Sequence, residues 1–277
     1  MVVSDVYHEF REATAGRDSD VDLFGAAMLI ARLGNPAADP NAVARELDLI
    51  AEAVLEHADG RDTQSLVNAI NHELFEVRGF HGNQVHYNDP ANSYLDCVVE
   101  RRTGLPITLS IVYMEVAERV GLRCDGIGYP GHFFVRCGEP DEGVYVDPFH
   151  QGMRLDREEL VARLRGQDLG GAQPESFLAA STRRQVLQRM IRNLHLVFRE
   201  QRDVERWMAA VEFALCLEPW NAALVGERGM LHYRLGNHKA AVADLKRYVE
   251  ATPAAAAGGA RRLLDELRLR TGGAEDE

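Results

Sequence analysis

Leu231-His232-Tyr233-Arg234-Leu235-Gly236-Asn237-His238-Lys239-Ala240-Ala241 sets a Gly-Asn turn between two runs of apolar residues at helical spacing. Leu224 joins Leu231 and Tyr233 on the first run, and Ala240, Ala241, Leu245, Tyr248 and Val249 fall on the second. Pro219 and Pro253 bracket the unit and stand 34 residues apart. A fixed period of that length points to stacked helical hairpins, each burying its apolar face on its neighbour.

With Gly229, Tyr233, Gly236, Ala240, Tyr248 and Pro253 near the small, aromatic and proline signature positions, this stretch resembles the tetratricopeptide repeat. A shift of 34 residues maps Leu231 to Val197, Leu245 to Val211 and Val249 to Leu215, outlining a degenerate unit over 185–219. It departs from the repeat at its turn, where Arg202-Asp203 replaces Gly236-Asn237. A last helix over 260–269 would cap the stack. Two units and a cap fall short of the roughly three repeats a continuous core needs, so the array is expected to pack against the domain before it. The resemblance implies a groove for a protein or peptide partner, set against the plainer role of completing the fold.

Outward from the array, the Gly-rich stretch 166–176 reads as a hinge, dividing the chain into 1–178 and 179–277. Two helices are expected over 21–58, separated at Gly34-Asn35-Pro36 and Asp39-Pro40. A third, capped by Asp62 or Thr63, runs through Leu66, Ile70 and Leu74 to Gly79. Residues 79–93 carry the Gly, Asn and Asp-Pro content of turns. Helices then follow over 93–102 and from Pro106, the latter with Leu109, Val112, Tyr113, Val116 and Val120 on one face. Ile127-Gly128-Tyr129, 132–137 and 144–148 read as short strands. The fold class expected is α+β: a helical N-terminal part, a core with a small antiparallel sheet, and an all-α array.

His132 opens one expected strand and Asp147 ends another, so antiparallel pairing would make them neighbours. A carboxylate beside an imidazole fixes its tautomer and stabilises its charged form. The order of helix, Gly126-Ile127-Gly128-Tyr129, Gly131-His132-Phe133 and Val146-Asp147-Pro148 resembles the papain-type, transglutaminase-like core. In that family a cysteine at a helix N-terminus completes a triad with histidine and aspartate, and by resemblance His132 and Asp147 are the remaining pair. The cysteine position falls at or beside Pro106, which cannot be a nucleophile. Cys137 lies an odd number of residues from His132 and so points to the other strand face. Cys97 and Cys124 read as packing residues, and Thr108 and Ser110 as caps or packing residues, the alternative being a hydroxyl nucleophile that a base would have to activate strongly.

The loop from Gly82-Asn83 to Asn92-Ser93, the segment Arg102-Thr103-Gly104-Leu105-Pro106-Ile107-Thr108-Leu109-Ser110, and the pairs Pro130-Gly131-His132-Phe133 and Asp147-Pro148-Phe149 together resemble the SirB-type proteins. These join a cysteine-less transglutaminase-like domain to tetratricopeptide repeats. The resemblance spans about 22–269 and implies a noncatalytic protein- or peptide-binding, regulatory role. The alternative is an unconventional hydrolase or acyltransferase working through the His132–Asp147 pair. Asn83, Tyr87, Asn92, Thr108 and Ser110 are the candidate ligand-binding residues, although Asn in such a loop also closes turns. His81 and His86 share that loop without a supporting cysteine or carboxylate triad, so no metal and no cofactor is expected.

Bulk properties narrow the partners. The 277 residues carry 31 basic and 43 acidic side chains, a net charge of −12 that repels a phosphate backbone, so no nucleic acid is expected. The arginines at 183, 184, 189 and 192 form the best basic exception and read as a solvated helix face. No run reaches the roughly 18 apolar residues of a membrane span, and the N-terminus lacks an export signal. Four cysteines without CxxC spacing are expected as reduced thiols in a cytoplasmic protein. The tail after Gly272 reads as frayed.

Overall fold

The computed structural model describes residues 3–253 and 255–272. The tail after Gly272 lies outside them. The chain divides into two compact units, Ala13–Met190, and Met1–Glu12 with Ile191–Glu277.

In the first unit, helices α2 (Leu23–Ala31), α3 (Pro40–His57) and α4 (Thr63–Asn71) start where the sequence places caps. Asp22, Asp39 and Asp62 each accept a backbone N–H of the first turn, pairing donors that have no partner inside the helix. A π-helical turn, His72–Val77, continues α4. A two-residue strand β1 (His81–Gly82) follows, and the rest of the loop to residue 93 is turns ending in a 3-10 turn at Pro90–Ser93. After α5 (Leu95–Arg101) comes β2 (Thr103–Gly104), which pairs parallel with β1.

Helix α6 (Pro106–Arg119) begins with proline in its first turn, where no N–H is needed. The sequence suggests one apolar face; in the fold it is buried on nearly every side, Thr108 and Ser110 included. Packing on helices as well as on the sheet removes its solvent face. The sheet is antiparallel in the order β3 (Cys124–Ile127), β4 (Phe134–Cys137), β5 (Val144–Asp147), β6 (Met153–Leu155). β6 has no alternating apolar pattern and was not expected. Helix α7 (Arg157–Leu164) follows it. Arg136 on β4 is buried and bonds Asp125 across the β3–β4 pair at 2.7 Å.

Two expectations are corrected here. Cys124 and Cys137 are joined in a disulfide rather than being reduced thiols, because the β3–β4 register sets them directly opposite each other. That pairing depends on strand register, which no CxxC-type spacing announces. Nor do Arg183, Arg184 and Arg189 form a solvated face, while Arg192 is exposed. Arg183 donates to the Val21 carbonyl at 2.6 Å, Arg184 to those of Thr14 and Gly16 at 2.7 Å, and Arg189 to that of His132 at 2.8 Å.

The second unit is helical. Helix α8 (Arg183–Gln201), within which the division of the units falls, is followed by α9 (Val204–Leu217), α10 (Ala222–Arg234), α11 (His238–Ala251) and α12 (Gly258–Gly272). α10 and α11 form the hairpin read from the sequence, and α12 closes it by packing Leu264 and Leu267 on Ala241 and Leu245. Gly226 and Gly229 let α11 approach α10, since a Cβ at Gly226 would stand 2.7 Å from the Tyr248 ring. Arg228 links three helices, with Asp244 at 2.6 Å and Glu212 at 3.1 Å. The chain's first helix, α1 (Val3–Ala13), adds to this unit: the rings of Tyr7 and Phe10 meet Phe213 of α9 edge-on at 5.0 and 4.9 Å. Part of the surface that two repeats lack thus comes from the far end of the sequence. Among the described residues no helix is long and apolar enough to cross a membrane.

Candidate functional site

Tyr129-Pro130-Gly131-His132 forms a tight turn, with the His132 N–H bonding the Tyr129 carbonyl at 3.1 Å. Proline sets the second position and Gly131 takes φ +72°, the left-handed backbone this turn type requires at its third. Arg189 donates to both end carbonyls, at 3.1 Å to Tyr129 and 2.8 Å to His132, and its guanidinium lies over the Phe133 ring. His132 is thereby held just ahead of β4.

Asp147 ends β5 and caps the 3-10 turn Pro148–His150 through Oδ1, which accepts the N–H groups of Phe149 and His150 at 3.0 and 3.3 Å. Its Oδ2 faces both His132 Nε2 at 2.8 Å and His150 Nδ1 at 2.7 Å. The carboxylate is almost wholly buried, while the two histidine side chains are 24% and 45% exposed. Burial by itself would raise the Asp147 pKa; the bonds from His132 and His150 outweigh it and hold it below the ordinary aspartate value. Gly152 closes the turn on the Asp147 carbonyl at 2.9 Å and is itself tied to Asn71 of α4. Phe149 presents its ring edge-on to His132 at 6.0 Å and to Tyr87 at 6.1 Å.

His150 has no place in the reading of the sequence. The signal was the spacing: in a 3-10 turn residues three apart eclipse, so an aspartate capping Pro-Phe-His carries that histidine back over its own carboxylate. His132, Asp147 and His150 form a group able to offer three metal-ligand atoms, all within 4.8 Å of one another. The expectation of no metal had considered His81 and His86, and His81 Nδ1 instead turns to the Gly79 carbonyl.

The other candidate residues divide by environment. Asn92 is completely buried, donates to the carbonyls of His86 and Tyr87, and accepts from Asn83 at 3.0 Å. Thr108 Oγ1 accepts the Leu105 N–H at 3.0 Å and donates to the Asn92 carbonyl at 2.7 Å, which ties α6 to the loop. Ser110 is fully buried within α6. Tyr87 alone of the five is exposed, at 46%, with its ring against Phe149 beside the His–Asp–His group. At the start of α6, Leu105 and Pro106 are buried.

The histidine–aspartate pair stands at one end of the two central strands of the antiparallel sheet, with the buried helix α6 packed against β4. Residues 41–192 match the transglutaminase-like superfamily. The chain belongs to the transglutaminase-like superfamily. Residues 191–268 of this transglutaminase-like protein match the tetratricopeptide repeat. It is 37% identical over 245 residues to a UPF0162 protein of Xylella fastidiosa strain Temecula1, covering 85% of this chain and 86% of that protein. Its identity to a UPF0162 protein of Pseudomonas aeruginosa is 30% over 234 residues, 81% and 83% of the two chains. It is also 29% identical over 182 residues to human F-box only protein 21, which covers 62% of this chain but only 28% of that longer protein. A transglutaminase-like domain followed by repeats of this kind supports a role in protein interaction.

Proposed function

We propose that this transglutaminase-like protein is a noncatalytic, SirB-type regulatory protein that binds a protein or peptide partner. The observation that carries the reading is the buried proline in the first turn of α6, the position that the resemblance to a transglutaminase-like core gives to the nucleophile. Nearby hydroxyls offer no substitute, since Thr108 Oγ1 is committed to the loop backbone and Ser110 is sealed in the core. The free thiols are poor nucleophiles too: burial pushes both Cys97 and Cys216 up to about 11, so each is protonated at neutral pH. Two exposed aromatics support binding instead, Tyr87 beside the His–Asp–His group and Trp220, 78% exposed at the turn between α9 and α10. Aromatic side chains are frequent anchors in interfaces.

A hydrolase or acyltransferase is the second reading, favoured by the 2.8 Å His132–Asp147 bond. That bond uses Nε2 and leaves Nδ1 to face a reacting group. One experiment separates the two. The full chain is assayed for ammonia release and peptide cleavage on glutamine-containing peptides, and is panned against a displayed peptide library. Binding predicts no turnover and one recurring peptide sequence whose affinity falls about tenfold or more in Tyr87→Ala or Trp220→Ala, as for an interface anchor. Turnover that disappears in His132→Ala would reverse the choice.

A further inference from the structure

We propose that His132, Asp147 and His150 bind one divalent first-row transition-metal ion. The inference is independent of whether a protein partner binds.

Placement of the donors carries the argument. Asp147 Oδ2 lies 2.8 Å from His132 Nε2 and 2.7 Å from His150 Nδ1. Nitrogen and oxygen ligands stand about 2.0–2.2 Å from such an ion, so two donors at right angles around it are about 3 Å apart. Opening these two separations by a few tenths of an ångström, and closing the two imidazole nitrogens on each other from within 4.8 Å, turns the hydrogen-bonded group into three adjacent coordination positions. The carboxylate is already aimed, because the Phe149 and His150 N–H groups hold Oδ1 and leave Oδ2 to face the imidazoles. The turn that brings His150 back is also fixed, with Gln151 at φ +55° and Gly152 bonded to the Asp147 carbonyl.

Donor chemistry selects the ion. Calcium and magnesium prefer oxygen ligands alone, whereas imidazole suits zinc, iron, nickel and copper. Two histidines and one carboxylate on one side of an ion leave further positions open. Here those positions face outward, since both histidine side chains are partly exposed while Asp147 is buried. As ligands, His132 would offer the lone pair of Nε2 and His150 that of Nδ1, each imidazole carrying its N–H on the outer nitrogen.

The test is calorimetric titration of the chelator-treated full chain with Zn2+, paired with the visible absorption of the Co2+ form. One ion per chain is expected, with Co2+ absorption that reports nitrogen coordination. His150→Ala should weaken binding by more than the roughly 10–100-fold typical of losing a group that merely supports a ligand. His150→Gln serves as a second variant, and far-UV circular dichroism checks that each remains folded. His238→Ala, in the helical array, should bind as the native chain does. Absence of stoichiometric uptake would overturn the proposal. So would uptake that both His150 variants leave unchanged, which would identify an ion held loosely by the acidic surface.

Discussion

Asp147 concentrates four hydrogen bonds on one buried carboxylate: two backbone N–H groups on Oδ1 and two imidazoles on Oδ2. Such a residue serves structure and chemistry together, since the contacts that cap the turn also fix the oxygen that meets the histidines. Glu227 in the array is a comparable centre, accepting His195 Nε2 and Trp207 Nε1 at 2.9 Å each on Oε1. Burial would raise its pKa, but these partners, His195 foremost, hold it below the ordinary glutamate value. The unfolded chain then binds more protons than the folded one between those two values. The stability Glu227 contributes is therefore complete above the ordinary glutamate pKa and is lost as pH falls through the lowered folded one. Thermal melts from about pH 6 to about pH 3, spanning the ordinary value near 4.3, should show a shallower pH dependence in Glu227→Gln than in the native chain. Equal slopes would mean that the Glu227 pair does not bear on folding. The expected strand ends and the resemblance to a transglutaminase-like core indicated His132 and Asp147 as a pair, but His150 and the burial of Asn92 and Thr108 required the folded turn and loop.

The element scale brings out the array's internal repetition. Gly236 turns α10 into α11 at φ +77°, and Arg202, one period earlier, takes φ +57° in the turn from α8 to α9. The degenerate repeat has kept the backbone conformation without the residue suited to it. For a residue with a Cβ the left-handed conformation costs about 1–2 kcal/mol, while glycine gives back about 0.5–1 kcal/mol through its freer unfolded chain. Arg202→Gly is expected to stabilise the protein by about 0.5–1 kcal/mol, read as a higher urea midpoint at an unchanged slope. An unchanged or lower midpoint would show that the Arg202 side chain contributes more than its backbone strain costs. Helix and strand positions followed closely from caps, prolines and apolar spacing, as with Asp62 before α4 and Pro106 at the start of α6. β6 escaped because its burial is slight and its partner, β5, supplies the pairing.

Taken whole, the molecule carries a charge of −12, and its most basic stretch spends Arg183, Arg184 and Arg189 on carbonyl groups. Phosphate contacts are what give nonspecific nucleic-acid binding its affinity, so no gel shift of duplex DNA or single-stranded RNA is expected at about 0.15 M salt. A salt-dependent shift would point to a basic surface that net charge conceals. By itself the sequence determined the order of elements, the 34-residue repeat and the Pro106 helix start, because caps, turn residues and apolar periods act between neighbours in the chain, while the His132–Asp147 pair was legible through its resemblance to a transglutaminase-like core. Only the tertiary structure decided that Cys124 meets Cys137, that α1 joins the array, that the basic residues at 183, 184 and 189 are structural, and that His150 completes a group of three. Each depends on strand register, turn geometry or packing between distant segments, which are fixed when the whole chain folds and leave no local pattern to read.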